Sequence, residues 1–417
     1  MVFTRKRRQR PTSRRLLLPL AVASFPLVVV ACGGAGGQAV VTTTSTSAPP
    51  ATTAPSGSTS TTTSPTEGLA APGIVAGACG SGTPELVLID PITGAREKTQ
   101  RIPTTAAKGK STQQAFDSLP VVCTNGQGQM GVSRDAFSPD WRYVASAESQ
   151  PEPNGAQHVG LISLATGQLI DITAETSSQG FSSTINVDGW PVFDELTGDF
   201  WFERSAGVDL GGTFYDCPPP YTSCTAQGTS SRSAPFQVAN GTVVLDSSNT
   251  TPPGPLINQA GTVQAQPGGL ALNDQAGVVV RAVGTVAPLQ DGSAPDPQLK
   301  LVTYGATPFS CVPAVWATTT SLICTSPYAN ATGTANNSFY LIPGATPTAG
   351  PLQATEIIPD NQRTNTHPVV DPTGGELAFV SQTGSEAPSL YDVPITGGPV
   401  SPEPIPKTDN LTPMAWQ

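Results

Sequence analysis

Apolar and polar residues alternate along this chain in short runs, and the runs recur as a unit of two strands around a tight turn. "DAFSPDWRYVASAE" (135–148) and "PVVDPTGGELAFVS" (368–381) show the unit most clearly. An apolar start leads into an acidic turn bearing Pro or Gly, and a second apolar run follows. Alternating Val, Leu, Ile, Phe and Tyr between clusters of Gly, Pro, Asn and Asp predicts β-strands. No segment carries capped 3.6-residue periodicity, so helix is expected to be nearly absent.

The unit returns at 191–203, 235–246, 269–282 and 314–325. Its key apolar positions, Phe137, Phe193, Phe236, Ala271, Val315 and Val370, are 56, 43, 35, 44 and 55 residues apart. A second hairpin follows most units, at 159–173, 299–308, 339–347 and 390–399. Four short strands in roughly 40–50 residues is the size of a propeller blade. Residues 85–97 form a second hairpin whose partner first strand is weak or missing, and 411–417 form a first strand with nothing after it. Joined, they make one whole blade and remove the exposed edges at the seam. The expected fold class is therefore all-β. It is a single propeller over 71–417, closed by pairing of N- and C-terminal strands, with seven four-stranded blades and with six or eight as the alternatives. Each blade buries its faces against its neighbours, so the pattern must recur while identities drift.

"FSPDWRYVAS" (137–146), "VVDPTGGELAFVS" (369–381) and "SLYDVPITGGP" (389–399) resemble the WD40-like PD40 repeats of TolB-type propellers. The resemblance covers these two blades well and the middle blades poorly. It implies a fold and an envelope setting more than an activity. TolB itself carries an α/β domain before its propeller. Here the residues before the propeller run straight into strands, so docking to the Tol–Pal system is not implied.

The first 15 residues hold seven basic side chains and no acid, and an apolar run follows from Leu16 to Ala31. A basic segment before a short apolar one is an export signal. The run contains Pro19 and Pro26 and is shorter than the ~20 residues of a spanning helix. Val29-Val30-Ala31-Cys32, followed by Gly33-Gly34, resembles the lipobox of bacterial lipoproteins. That resemblance implies cleavage after residue 31 and lipidation of Cys32, with palmitate among the acyl chains. "SRRLLL" from Ser13 also resembles a twin-arginine signal, so the general secretory and twin-arginine routes both stay open. Thr42–Thr66 contains only Thr, Ser, Pro, Ala and Gly. It has nothing to bury, and residues 32–70 are expected to be a disordered tether spanning up to roughly 80 Å at ~3.3 Å per residue over that tract. Such tracts also resemble O-glycosylated stalks. The expected location is the extracytoplasmic face of the cell membrane.

Loss of the signal removes 7 of 20 basic residues and none of the 30 acidic ones, leaving a formal charge of −17 from 13 basic and 30 acidic side chains. A chain so acidic is repelled by nucleic acid, and no basic patch interleaved with aromatics offsets that. Nucleic-acid binding is excluded.

Six cysteines remain beyond Cys32: Cys79, Cys123, Cys217, Cys224, Cys311 and Cys324. An even number in an exported chain suggests disulfides. Clustering favours Cys217–Cys224 and Cys311–Cys324, which leaves Cys79 with Cys123. Zinc is the competing reading, but there is no Cys-x-x-Cys, and neither His158 nor His367 lies beside a cysteine pair.

Candidate chemistry is sparse. "GKST" (109–112) lacks the first P-loop glycine, since Thr104 stands there, and no Gly-x-Ser-x-Gly elbow occurs. Asp188, Asp194, Glu195 and Asp199 crowd one unit and could form a glycosidase carboxylate pair or a calcium site, although turn acids are the plainer explanation. His158 and His367 are expected at turns or strand edges. Trp141, Trp190, Trp201 and Trp316 are expected between blades. No cofactor, metal or catalytic residue is assigned. The expected function is a lipid-anchored, monomeric binding or scaffold module for a protein or glycan partner, held on the face that carries the long loops. The alternative is a carboxylate-dependent, glycan-active enzyme on the same scaffold.

Overall fold

A computed structural model describes residues 69–80, 83–107, 115–118, 122–123, 130–131, 133–148, 157–173, 187–205, 211–230, 235–245, 256–268, 277–285, 298–325, 338–359, 361–396 and 398–417. All belong to the compact unit Gly57–Gln417. The expected signal, Cys32 and the tether lie outside the described residues.

Every regular element among the described residues is a strand, apart from one short 3-10 turn at Arg134–Ala136. No described helix is long and apolar enough to cross a membrane. The strands form blades. Blade 1 orders its strands from the inside as Leu411–Trp416, Ile74–Gly80, Thr83–Ile89 and Arg96–Arg101. The expected closure is therefore present, and the weak partner strand is Ile74–Gly80, whose Gly and Ala content hid it.

Blade 2 contains Tyr143–Glu148, Val159–Ser163 and Leu169–Asp171, with an inner edge in two pieces. Ala115–Ser118 supplies one piece, and the bridge from Phe137 to Val144 supplies the other. Blade 3 runs Val187–Phe193, Phe200–Ser205, Gly212–Cys217 and Thr225–Thr229. A two-stranded hairpin, Phe236–Ala239 with Thr242–Leu245, comes next. Blade 4 is Leu256–Ile257, Val263–Pro267, Val278–Ala282 and Leu299–Lys300. Blade 5 is Val312–Trp316, Leu322–Thr325, Phe339–Ile342 and Leu352–Glu356, and blade 6 is Thr364–Val370, Glu376–Gln382, Ser389–Pro394 and Glu403–Pro404.

Six full blades thus share the ring with one hairpin, and both explain the irregular repeat. The hairpin is followed by the next inner strand after only a short link, so two sectors occupy the length of one. Residues 269–282 were expected to form a first hairpin. Instead Val278–Ala282 is the third strand of blade 4, whose inner hairpin is Leu256–Ile257 with Val263–Pro267. Residues 302–308 also depart from expectation. Val302–Tyr304 pairs in parallel with Leu352–Glu356, so it leaves blade 4 and extends the outer edge of blade 5.

Blade packing follows from strand geometry, because successive side chains point to opposite faces. In blade 1, Val75, Leu86 and Leu88 pack with Phe137, Trp141, Val144 and Ile162 of blade 2. Their chain neighbours Ile74, Val87 and Ile89 pack with Ala378, Val380 and Leu390 of blade 6. Ala145, Val159 and Leu161 meet Phe193, Phe200 and Phe202 of blade 3. Both faces of a middle strand are buried, which is why its apolar runs read as nearly continuous.

Candidate functional site

The turns after the inner strands of blades 3, 4 and 6 are each closed by a short polar side chain at the same place. Asp194 Oδ1 accepts from the Leu196 amide at 2.9 Å. Asn258 Oδ1 accepts from Thr262 and Val263 at 2.8 and 3.1 Å. Asp371 Oδ1 accepts from Gly375 and Glu376 at 2.6 and 2.7 Å. Carboxylate and amide oxygens satisfy turn amides that the strands cannot, which fixes where each inner strand ends.

The same residues tie neighbouring blades together on this short-turn face. Asp194 Oδ2 also accepts from Gly241 of the hairpin at 2.7 Å. Asn258 Nδ2 donates to Thr319 O of blade 5 at 2.8 Å, and Trp316 Nε1 of that blade donates to Leu256 O at 3.1 Å. Between blades 1 and 2, Trp141 Nε1 donates to Gln417 Oε1 at 3.0 Å, while Gln417 Nε2 donates to Leu69 O.

Inner residues of all six blades and the hairpin surround a cavity of about 540 Å³ along the ring axis. Its walls mix polar and apolar surface, with Val238, Ala314, Val369 and Met414 among the apolar residues, and its ionisable groups among the described residues are Arg134, Asp135, Asp194, Glu195 and His367. Arg134 is anchored to its own turn. Its guanidinium donates to the carbonyls of Phe137, Ser138 and Pro139 at 2.9, 3.3 and 3.3 Å and lies 4.0 Å from the Trp141 ring centre. Glu195 opens to the cavity, but protein crowds it from around the ring. Lost hydration raises its carboxyl above the usual range; Arg134 opposes the rise, and Asp135 and Asp194 add to it. Asp135 is raised for the same first reason. His367 is lowered by lost hydration, and its Nδ1 lies 3.0 Å from Thr366 Oγ1.

These shifts predict a pH-dependent stability. Below the unfolded-state pKa of about 4.3, Glu195 is protonated in both states and costs nothing. Above it the unfolded chain ionises first, so the folded state loses stability until the pH passes the raised folded pKa. Glu195→Gln is expected to raise the melting temperature at about pH 7, and the gain should vanish near pH 3. Thermal melts at the two pH values check this, and equal melting of both proteins at pH 7 would contradict it.

The crowded acids of blade 3 do not form one centre. Asp188 is buried against Arg204, Asp194 serves the turn, and Glu195 faces the cavity. Among the described residues, no cluster of three or more His, Cys, Asp or Glu side chains could hold a metal ion. One expectation is refined and one corrected. His158 lies just before the strand Val159–Ser163, as expected, but is buried there, with Nδ1 2.9 Å from Thr173 O. Trp190 is 45% exposed, whereas Trp141, Trp201 and Trp316 are buried as expected. Cys217 is bonded to Cys224 and Cys311 to Cys324. Cys79 is also disulfide-bonded, and Cys123 lies in the strand Val122–Cys123. Asn240 and Asn410 occupy left-handed turn positions, with φ of 48° and 61°. "GKST" lies outside the described residues.

A ring of four-stranded antiparallel blades around an axial cavity makes this chain a β-propeller. It is similar to TolB from Acinetobacter baumannii, at 12% identity and a TM-score of 0.34 over 82% of this chain and 67% of that one. It is also similar to the β-propeller domain of the Trilobed protease from Pyrococcus furiosus, at 10% identity and a TM-score of 0.34 over 79% and 86% of the two chains. An oligogalacturonate lyase from Vibrio parahaemolyticus is similar at 12% identity and a TM-score of 0.32, over 70% and 69%. These are likenesses of fold. No family model and no curated protein matches the chain.

Proposed function

We propose that this chain is a lipid-anchored, extracytoplasmic propeller that binds a protein or glycan partner in the cell envelope without transforming it. The observation that supports this reading is how its acids are used. Asp188 is ion-paired with Arg204, Asp194 closes its turn and binds Gly241, and Asp371 caps a turn. A carboxylate catalyst needs an acid that is free to exchange protons with substrate. The same bonds knit the short-turn face, which leaves length variation to the opposite face at 147–157, 204–214, 326–337 and 382–388; 283–298, expected there too, joins the third and fourth strands of blade 4, so its ends at Ala282 and Leu299 belong to the short-turn side. Most of those residues lie outside the described ones. Loops held on a rigid scaffold are the usual place for binding. Lipid on Cys32 would hold the monomer at the membrane, and the tether would lift it clear.

A glycan-active enzyme is the second reading, and Glu195 favours it, since this carboxyl faces the cavity with no hydrogen bond among the described residues. Capture of partners from detergent-solubilised envelope separates the readings. The full chain should retain a partner, and a chain shortened at 147–157 and 326–337 should lose it while melting within a few degrees of the parent. Cys32→Ala should leave the membrane fraction. Capture that survives shortening and fails on altering the short turns would reverse the face assignment. Release of sugar fragments from envelope glycans would favour the enzyme.

A further inference from the structure

The cavity holds one carboxylate that the fold supplies with no hydrogen-bond donor among the described residues. Glu195 lies in the turn after the inner strand of blade 3, open to the cavity, and accepts no hydrogen bond among the described residues. Its neighbours differ. Asp194 is bonded to two amides, and Asp135 accepts from Ser133 and from nearby backbone. Arg134 is the cation of the cavity, but its donors are placed on the carbonyls of Phe137, Ser138 and Pro139 and its face on Trp141. Among the described residues the cavity therefore carries three acids against one committed cation, and Glu195 is the one without a hydrogen-bond donor.

The remaining lining narrows what could answer the charge. A bare metal ion would need several oxygen or nitrogen ligands, and no such group occurs among the described residues. Val369, Val370 and Met414 instead present apolar surface to the cavity. At about 540 Å³ its volume suits a small organic molecule. His367 adds a second polar contact in the same wall, at a strand bulge between Thr366 and Val369. Its φ of 53° is a left-handed backbone that glycine would adopt at lower cost. The imidazole is exposed to the cavity, so burial does not offset that cost.

We infer that the channel binds a small organic ammonium ion, with its charged end on Glu195 and its apolar body against Val369, Val370 and Met414. The site opens among the short turns, on the face opposite the loops proposed to hold the envelope partner, so it stands or falls separately from that reading. An ammonium donates a charge-assisted hydrogen bond to the one carboxylate that lacks a donor.

Hexylammonium chloride is the probe, titrated into the full chain by calorimetry, with sodium hexanoate as the matched anion. Saturable one-to-one binding of hexylammonium is expected, with hexanoate inert. Glu195→Gln should weaken it about tenfold or more, the worth of one such hydrogen bond. Ala314→Phe, which fills the cavity without touching the charge, should abolish it. Equal binding of the two probes, or equal affinity in Glu195→Gln with a wild-type melting profile, would overturn the inference. So would retention of binding in a folded Ala314→Phe protein.

Discussion

Removal of residues 411–417 is expected to abolish cooperative unfolding. Leu411–Trp416 is the inner strand of blade 1, paired from Ala78 opposite Leu411 to Ile74 opposite Trp416 with one bulge between Val75 and Ala76. It contributes to two seams at once. Leu411 is 1% exposed among Ile74, Val87, Ala378 and Leu390, while Met414 and Ala415 pack toward blade 2. Gln417 then exchanges backbone hydrogen bonds with Gly73, and its side chain joins Trp141 to Leu69. Losing Leu411, a fully buried side chain worth ~1.5–3 kcal/mol, together with the partly buried Met414, Ala415 and Trp416 and the ladder of a whole strand takes a large share of the stability of an ordinary domain, about 5–15 kcal/mol. The deletion also bares the edge of Ile74–Gly80, which invites aggregation. Calorimetry and light scattering of the truncated chain should show a lost or broadened transition and early association. An unchanged, sharp transition would mean that the ring is held shut elsewhere.

The blades were legible in the sequence because a strand packed between two neighbours buries both faces and reads as a short apolar run between Gly, Pro, Asn and Asp turns. The closure was legible because two incomplete units stood at opposite ends of the pattern. What stayed hidden lacks a period. Ile74–Gly80 is a strand made of Ile, Val, Ala, Gly and Cys, and its small residues carry little apolar signal. Leu256–Ile257 is too short to show alternation at all. The parallel pairing of Val302–Tyr304 with blade 5 depends on where that blade's edge lies in space, which no local pattern encodes. The cavity groups were half visible. Glu195 and His367 were singled out as residues, but their meeting around one axis follows only from ring closure. Arg134 and Asp135 gave no signal, because a short polar stretch before a strand looks like any loop. Trp190 was misplaced because a bulge between Gly189 and Val192 puts it in a left-handed conformation and breaks the two-residue period.

Replacing Asp188 with Ala should be among the most destabilising single changes in blade 3. Asp188 and Arg204 face each other in register on its two inner strands. Arg204 donates through Nε and Nη2 to Oδ1 and Oδ2 at 2.6 and 2.7 Å, a bidentate fork. The side chains are 1% and 10% exposed, so water cannot take over the role of either partner. Forming such a pair gains little, because desolvation of both charges offsets their attraction. Breaking it costs about 3–5 kcal/mol, since the guanidinium stays buried without its counter-charge. That corresponds to a fall in melting temperature of roughly 5–15 °C for a domain of this size. Asp188→Asn keeps one acceptor and should lose less. The double change Asp188→Ala with Arg204→Met removes both charges and should recover much of the loss. Thermal melts of the three variants test the argument through their order. A double variant no more stable than Asp188→Ala would show that the loss comes from packing around Asp188, and the charge argument would fail.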